Sequence, residues 1–218
     1  YKSAGQLCTS TSRIFVYENH LAEFIDKFVK QTKALKIANP LKAQDAFMGP
    51  LYSKKAVDKF LRFQTMAQRE ESELLLRGKT LPEIGKGFFV SPAVHLMKEM
   101  NAASAYQSNV LFCPDVAIYS YDVLEDAIHN ANQTDAAFCM SFIGDRKYLA
   151  NKYHLFAAPN ILINQPTCEV QASLPLAGRL QSGHHRFCGP GLAMRLSYPQ
   201  VMHESAEELK IISSWPLG

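Results

Sequence analysis

The 218-residue chain lacks the two surface features that most directly indicate a nucleic-acid or lipid partner. Its 23 basic and 20 acidic residues leave a net charge of +3, spread along the sequence without a run of Lys or Arg. No apolar stretch approaches the ~20 residues that a transmembrane helix requires. The sequence therefore predicts no phosphate-tracking stripe, no nucleic-acid partner and no membrane partner.

The chain also lacks the cysteine spacing of a metal site or a disulfide framework. None of its cysteines stand close together, and the adjacent His184 and His185 have no evident third ligand, so we expect no metal. In a chain of this size, widely spaced thiols indicate a reducing compartment, and we expect the cytoplasm. The predicted free thiols, each of which could equally be a small buried hydrophobe, are Cys8, Cys113, Cys139, Cys168 and Cys188.

A Gly-rich turn between a strand and a helix, which cradles a dinucleotide pyrophosphate, is missing, and so is a P-loop. The first residue is Tyr1 rather than Met, and no secretory signal leads the chain. This start is typical of a piece of a longer protein. We therefore expect that the chain alone does not bind a dinucleotide tightly.

What the sequence does contain is an alternation of strand and helix patterns. Asn19, Ser53 and Asp122 are the predicted helix caps. Crossovers of a dozen or more residues between strands favour an α/β fold with a mostly parallel sheet, covered by helices on both faces. The predicted strands are residues 13–17, 73–76, 88–96, 116–121, 136–143 and 160–164, and the predicted helices are 20–36, 54–70, 123–132 and 145–154.

The most informative segment is Gly5-Gln6-Leu7-Cys8, which stands just before the first strand. A thiol in a tight Gly-containing turn can have its own backbone N–H as an oxyanion donor. Cysteine is also the side chain that needs the least activation as a nucleophile. The pattern therefore predicts a nucleophile at Cys8, although this short segment alone also fits a structural cysteine.

The segment resembles the Gly-Gln-x-Cys signature of aldehyde dehydrogenases, and the resemblance continues in the same order along the chain. The further matching motifs are Gly49-Pro50-Leu51, Phe112-x-Pro114, Asp126-Ala127-Ile128, Ala131-Asn132-x-Thr134, Asn164, Pro175-Leu176-Ala177-Gly178 and Ser182-Gly183. The resemblance implies an aldehyde-dehydrogenase catalytic domain over residues 1–200 and an oligomerisation strand with a tail over 201–218. It also implies that the dinucleotide-binding domain is absent from this chain, together with the family's general-base glutamate and oxyanion asparagine.

A narrower resemblance, to succinylglutamate-semialdehyde dehydrogenases of arginine breakdown, rests on scattered residues. They are Ser3-Ala4-Gly5-Gln6-x-Cys8-Thr9, Asn164-x-Pro166, Gly183-x-His185-Arg186 and Ser197-Tyr198-Pro199. It implies succinylglutamate semialdehyde as the substrate. Arg186 could pair bidentately with a substrate carboxylate, or it could simply anchor a loop.

The resemblance also implies a mechanism and a set of site residues. The Cys8 thiolate would add to the aldehyde, NAD or NADP would accept the hydride, and water would hydrolyse the thioester. Asn164, Leu176, His185 and Arg186 would line the substrate pocket, and Phe112 would lie near the cofactor.

Several positions depart from the family pattern. Val110 replaces the glutamate that holds the nicotinamide ribose, and Cys113 replaces a glycine of the same motif. Leu176 and Ala177 replace Phe and Gly, which removes an aromatic wall of the aldehyde pocket, and Ala137 replaces another glycine. Together these changes indicate relaxed catalytic constraint or an unusual pose of substrate and cofactor.

Three functions therefore stay open. The first is an NAD(P)-dependent semialdehyde dehydrogenase of which this chain, inactive alone, is the catalytic domain. The second is a degenerate, non-catalytic module for binding or homo-oligomerisation, in which residues 208–212 pair with a neighbouring subunit's sheet or form an edge strand or tail of their own domain. The third is a cofactor-free cysteine hydrolase, for which the sequence offers no obvious His–Asp partners.

Overall fold

The computed structural model describes residues 1–171, 173–184 and 189–204. The α-helices are α1 (Glu18–Lys33), α2 (Lys54–Arg69), α3 (Leu124–Ala131) and α4 (Leu192–Arg195). The strands are β1 (Arg13–Tyr17), β2 (Glu73–Leu76), β3 (Ala93–Met97), β4 (Asp115–Tyr121), β5 (Ala136–Ala137), β6 (Cys139–Phe142), β7 (Asn160–Ile163) and β8 (Arg179–Leu180). Short 3₁₀ helices lie at Lys2–Gly5, Pro82–Ile84, Arg146–Leu149, Tyr153–Leu155 and Gly189–Gly191. The predicted strand at 208–212 lies outside the described residues.

The main sheet has the strand order β1-β4-β3-β2. β4 pairs in parallel with both β1 and β3, and β2 closes one edge in the antiparallel direction. The prediction of an α/β fold with a mostly parallel sheet is therefore confirmed. Because β4 is central, its side chains are buried on both sides from Asp115 to Tyr119, as expected for a strand covered on two faces.

The two faces of the sheet are covered by different helices. Val116 and Ile118 of β4 belong to a cluster that packs against the apolar side of α1. Ala117 and Tyr119 point to the opposite face, where Phe63 and Ala67 of α2 cover them. Successive residues of a strand point to opposite faces, so the continuous apolar run in β4 supplies both layers.

The helix boundaries follow the predictions only in part. The Ser53 cap is confirmed, because its Oγ accepts a hydrogen bond from the backbone N–H of Ala56 at 3.2 Å. The Asn19 cap is wrong, since α1 begins at Glu18 after Tyr17, and so is the Asp122 cap, since α3 begins after Val123. In neither helix does the N-cap side chain accept a capping bond.

Two further predictions about the helices are wrong. The apolar spacing of α2 predicts that Leu61 faces inward with Val57, Phe60 and Met66, but Leu61 is 37% exposed. Phe63 is buried instead, in the cluster that contains Tyr119. The predicted helix at 145–154 is two 3₁₀ turns, Arg146–Leu149 and Tyr153–Leu155. The first begins with the Asp145 carboxylate accepting from the Lys147 N–H at 3.0 Å, a local bond that favours a turn over a longer helix.

The last part of the described chain forms two small two-stranded sheets. β6 pairs in parallel with β7, and β5 pairs antiparallel with β8. The single predicted strand at 136–143 is thus two strands, separated at Phe138, because its ends pair with different partners. The amide of Asn160 bridges the Phe138 and Ala177 carbonyls at 2.5 and 2.8 Å, which satisfies the backbone at this break.

Candidate active site

Cys8 lies in a turn that exposes its side chain above buried neighbours. The Ser10 N–H donates to the Leu7 carbonyl at 3.0 Å, which places Cys8 and Thr9 at the two central positions of a β-turn. Thr9 is buried while Cys8 is exposed. The hydrogen bond that closes a β-turn joins the fourth residue's N–H to the first residue's carbonyl. The N–H of Cys8, the second residue, therefore takes no part in closing this turn.

Gly5 is required by both its conformation and its surroundings. Its φ is +71°, in the left-handed region that favours glycine. A Cβ atom at this position would stand 2.2 Å from the carbonyl oxygen of Cys113. The glycine of the Gly-Gln-x-Cys pattern therefore lets the segment before Cys8 pack directly on the backbone that leads into β4.

Gln6 fixes the same segment to a second loop. Its Nε2 donates to the carbonyls of Ser3 at 3.1 Å and Pro50 at 3.2 Å, and its Oε1 accepts from the Tyr52 N–H at 2.9 Å. The Gly49-Pro50-Leu51 motif is thus held against the cysteine turn by one side chain. In the sequence Gln6 is only part of the Gly-Gln-x-Cys motif, whereas the structure shows that its side chain positions the cysteine segment against the Pro50 loop.

The loop after β7 contacts the cysteine segment from the other side. The Thr167 hydroxyl donates to the Thr9 carbonyl at 2.6 Å and lies 2.8 Å from the Thr11 hydroxyl. The Cys139 thiol donates to the Thr167 carbonyl at 3.5 Å. Nothing in the sequence singled out Thr167, because the residues it joins are 158 positions apart.

The predicted substrate residues are only partly described. Asn164 directly follows β7 and has a φ of +54°. Its side-chain amide makes two hydrogen bonds to Gly144: Oδ1 accepts from the Gly144 N–H at 2.8 Å, and Nδ2 donates to the Gly144 carbonyl at 3.0 Å. Leu176 is half-buried. His185 and Arg186, like Cys188, lie outside the described residues, and their roles stay predictions.

A buried polar group that the sequence did not reveal lies between β3, β4 and the segment that follows β3. The His95 Nε2 is 3.4 Å from Asp115 Oδ2, and the Tyr106 hydroxyl donates to Asp115 Oδ1 at 2.5 Å. Burial and the Asp115 carboxylate together raise the pKa of Tyr106 well above its usual value. The His95 and Asp115 side chains are 0% and 3% exposed, so this pair is out of reach of a substrate and does not supply the cysteine hydrolase with a base.

Residues 1–171, 173–184 and 189–204 contain neither a candidate metal site nor a membrane-spanning helix. In those ranges, no cluster of three His, Cys, Asp or Glu side chains has the arrangement of a metal site. In the same ranges, no helix combines the length and the apolar character needed to cross a bilayer.

The chain that carries this site matches a known protein family over most of its length. The family model described as "Aldehyde dehydrogenase family" matches residues 1–201. The chain belongs to the aldehyde dehydrogenase family.

Curated aldehyde dehydrogenases resemble the chain over most of its length. A chloroplastic betaine aldehyde dehydrogenase of Beta vulgaris is 29% identical over 94% of the chain, and a chloroplastic aminoaldehyde dehydrogenase of Arabidopsis thaliana is 31% identical over 90%. An alpha-ketoglutaric semialdehyde dehydrogenase of Bacillus subtilis is 30% identical over 85%. The matches cover 40%, 39% and 38% of these relatives, so the chain spans about two-fifths of their length.

Solved aldehyde dehydrogenases share the fold. The apo betaine aldehyde dehydrogenase of Staphylococcus aureus superimposes with a TM-score of 0.79 at 23% identity, covering 88% of this chain and 38% of that one. An NAD+ complex of the Bacillus cereus aldehyde dehydrogenase gives 0.75 at 25% identity, covering 86% and 37%. The architecture is therefore that of the family, whose solved members include NAD+ complexes.

Val110 stands at the position where the family resemblance predicts a glutamate that contacts the nicotinamide ribose. Val110 is 46% exposed and its side chain cannot accept a hydroxyl hydrogen bond. Its carbonyl accepts from Lys59 Nζ at 3.0 Å. Phe112, the predicted cofactor neighbour, is 44% exposed with a φ of +53°. Position 110 therefore presents an apolar side chain, and its place beside the ribose stays a prediction.

Proposed function

We propose that this chain supplies the nucleophile, Cys8, to an NAD(P)-dependent oxidation of an aldehyde to the acid. The observation that carries the proposal is the exposed Cys8 thiol in a turn fixed by Gly5 and Gln6. A nucleophile held on packed backbone loses little freedom when it reacts, which is the advantage of positioning in catalysis. Family membership supplies the reaction class.

The step that falls to this chain is formation of the thiohemiacetal. The Cys8 thiolate adds to the carbonyl carbon, the C=O π bond breaks and its electron pair moves to the oxygen. The Cys8 N–H, which the β-turn does not use for its closing bond, can donate to that oxyanion. This role for the backbone N–H explains why the cysteine stands at a central position of a turn rather than inside β1.

A nicotinamide cofactor, when bound, would accept the hydride from the thiohemiacetal. At position 110 the chain has no carboxylate for the ribose, so we propose that the complete protein holds NAD or NADP chiefly through residues outside this chain. The expectation that the chain alone neither binds NAD(P) tightly nor oxidises aldehydes has a separate basis, which is the missing Gly-rich turn that would cradle the pyrophosphate.

For the substrate, we propose a small aldehyde with a charged group, succinylglutamate semialdehyde being the first candidate. Support comes from the residues around Asn164, Gly183 and Ser197 that resemble the succinylglutamate enzymes. The relatives by their names act on betaine aldehyde, aminoaldehydes and alpha-ketoglutaric semialdehyde, all of which carry a charged group. Half-buried Leu176 would provide an apolar wall, and Arg186 would pair with a carboxylate.

A non-catalytic module is the second candidate, and the mismatch at Val110 favours it. A relative that no longer needs the ribose contact could retain the fold for binding or for homo-oligomerisation through residues 208–212. Those assembly contacts, the domain boundary near residue 200 and a cytoplasmic location stay predictions.

The two candidates are separated by kinetics on the natural protein that contains this chain. Purified protein is assayed for NADH or NADPH formation with succinylglutamate semialdehyde, betaine aldehyde and an aminoaldehyde. For the enzyme, Cys8→Ser should lower kcat by about 10⁴-fold or more, as losses of catalytic nucleophiles do. Cys168→Ser is the matched control and should change kcat less than about threefold.

Two outcomes would contradict the proposal. Equal turnover by the wild type and Cys8→Ser would reject Cys8 as the nucleophile. Absence of aldehyde-dependent turnover with both cofactors in the untreated protein, whose Cys8 reacts with iodoacetamide in a separate sample, would reject the enzyme and leave the non-catalytic module.

A further inference from the structure

Two further cysteines, Cys139 and Cys168, belong to segments that lie near the turn of the nucleophile Cys8. Cys8 is in the turn before β1, Cys139 begins β6 and Cys168 follows β7. Thr167 connects them: its hydroxyl bonds the Thr9 carbonyl at 2.6 Å, and its own carbonyl accepts from the Cys139 thiol at 3.5 Å. The residue after Cys8 and the thiol of Cys139 thus contact the same threonine.

Electrostatic coupling supports the same proximity. Burial raises the pKa of Cys139 to about 11, with additional contributions from the charges of Cys8 and then of Cys168. The geometric evidence for this proximity is the pair of Thr167 contacts, one to the Cys139 thiol and one to the Thr9 carbonyl. Cys113 stands apart from this group, because it is buried and its raised pKa comes from burial and from Asp115.

The thiols differ in exposure in a way that suits a redox pair. Cys8 is exposed and meets a solvent oxidant first, whereas Cys139 is half-buried and bonded to Thr167. A redox-sensitive cysteine is typically an accessible thiol beside a second thiol that can react with its oxidised form. Among the described residues no metal-type cluster competes for these sulfurs.

We propose that Cys139 is the resolving thiol of Cys8: when a hydroperoxide oxidises Cys8, Cys139 closes an intramolecular disulfide with it. The Cys8–Cys139 pair is preferred over Cys8–Cys168 because the Cys139 thiol donates to the carbonyl of Thr167, the residue whose hydroxyl contacts the Thr9 carbonyl. The proposal goes beyond aldehyde oxidation and needs only an accessible Cys8.

The chemistry balances in two steps. The Cys8 thiolate attacks one oxygen of the peroxide, the O–O bond breaks and the other oxygen leaves as water or an alcohol after protonation, which gives a sulfenic acid. The Cys139 sulfur then attacks the Cys8 sulfur, the S–O bond breaks and hydroxide leaves with the proton of the Cys139 thiol as water. Two thiols lose two electrons, and the peroxide gains them.

Closing this bond would block the nucleophile reversibly. A sulfenic acid left alone proceeds to sulfinic acid, which is not restored by ordinary thiols, whereas a disulfide is reduced by them. Cys139 would therefore protect Cys8 from permanent loss during exposure to peroxide.

The test is disulfide mapping on the natural protein treated with hydrogen peroxide and then blocked with N-ethylmaleimide. Trypsin with Asp-N separates Cys8, Cys139 and Cys168 onto the peptides 3–13, 135–144 and 153–179. We expect a species joining 3–13 to 135–144 that disappears on treatment with dithiothreitol. The experiment detects a disulfide between two peptides, so its result does not depend on whether the protein oxidises aldehydes.

Variants sharpen the assignment. In Cys139→Ser, peptide 3–13 should gain two oxygens as sulfinic acid, while Cys168→Ser should retain the 8–139 linkage at wild-type yield. A linkage of Cys8 to Cys168 in the wild type would overturn the proposal. Sulfinic acid on Cys8 with Cys139 still free in the wild type would overturn it too. Thermal unfolding of each variant verifies that serine has not altered the fold.

Discussion

The sheet of β1–β4 and the segment from β5 onward are held together in different ways. In the sheet, strands of four to seven residues form one ladder between α1 and α2, and residues such as Ile118 and Phe60 are completely buried. From β5 onward the strands have two to four residues. There, asparagine side chains form hydrogen bonds with backbone groups. The Asn160 amide donates to the carbonyls of Phe138 and Ala177, and the Asn164 amide bonds the N–H and carbonyl of Gly144.

The candidate site joins these two regions. Cys8 belongs to the sheet side, while Thr167 and Cys139 belong to the smaller side. Packing holds the sheet beneath Cys8, whereas side-chain hydrogen bonds hold much of the region from β5 onward. We therefore expect mutations to destabilise the two regions to different extents. The following predictions test that difference, from the largest expected effect to the smallest.

The largest effect is expected where packing alone holds the structure. Phe60 is 0% exposed and its ring lies against Gly78, so Phe60→Ala leaves a cavity that the neighbours cannot fill. The free energy of unfolding should fall by about 3–5 kcal/mol, measured by urea denaturation. The matched control is Phe47→Ala, since Phe47 is 48% exposed and its loss should cost less than about 0.5 kcal/mol. Similar losses in both variants would contradict a packed sheet core.

Gly5→Ala tests the support under Cys8. The left-handed conformation costs an alanine about 1–2 kcal/mol, and the overlap with the Cys113 carbonyl adds about 1–3 kcal/mol of overpacking. We expect this loss in urea denaturation and a slower reaction of Cys8 with iodoacetamide. Gly49→Ala is the control, because Gly49 does not have a positive φ and an added Cβ would meet the Pro40 ring at an ordinary 3.7 Å. Equal destabilisation by the two variants would contradict a special requirement for glycine at position 5.

Asn160→Ala tests the side-chain bonding of the smaller region. It removes the donor that serves two carbonyls, which should cost about 1–3 kcal/mol in the free energy of unfolding. Hydrogen exchange should increase at β6 and β7 but not in β4. The control is Asn109→Ala, whose amide serves one carbonyl four residues away in an exposed segment. An increase in exchange spread equally over β4 would mean that the two regions open as one.

The smallest effect concerns alkaline pH. Burial raises the pKa of Tyr119 above its ordinary 10.0, so the folded chain keeps this proton while the unfolded chain releases it. Stability from this group is present below about pH 10 and is lost as the pH rises, by at most about 1.4 kcal/mol per pH unit. Tyr119→Phe should make the fall in unfolding free energy above pH 10 less steep, while Tyr52→Phe, at an exposed position, is the control. An unchanged slope in Tyr119→Phe would contradict the prediction.

Much of the sheet region could be predicted from local sequence. The β-branched and apolar run of β4 and the Ser53 cap each depend on neighbours within a few residues, and both are present as expected. The smaller region was predicted less well because its elements are too short for a periodic pattern. Phe138 interrupts an apolar run that reads as one strand, and only the pairing of β5 with β8 and β6 with β7 explains the break.

The sequence by itself determined the family, through motifs that occur in the family's order from Gly5 to Gly183. It also determined the alternation of strands and helices. The tertiary structure alone decided that Gln6 bonds the Pro50 carbonyl and that the Asn164 amide bonds Gly144. It also decided that the Cys139 thiol bonds Thr167, which contacts the cysteine segment. The physical reason is distance along the chain. Thr9 and Thr167 are 158 positions apart, and no local pattern of residues specifies which carbonyl such a hydroxyl will meet until the sheet has brought the segments together.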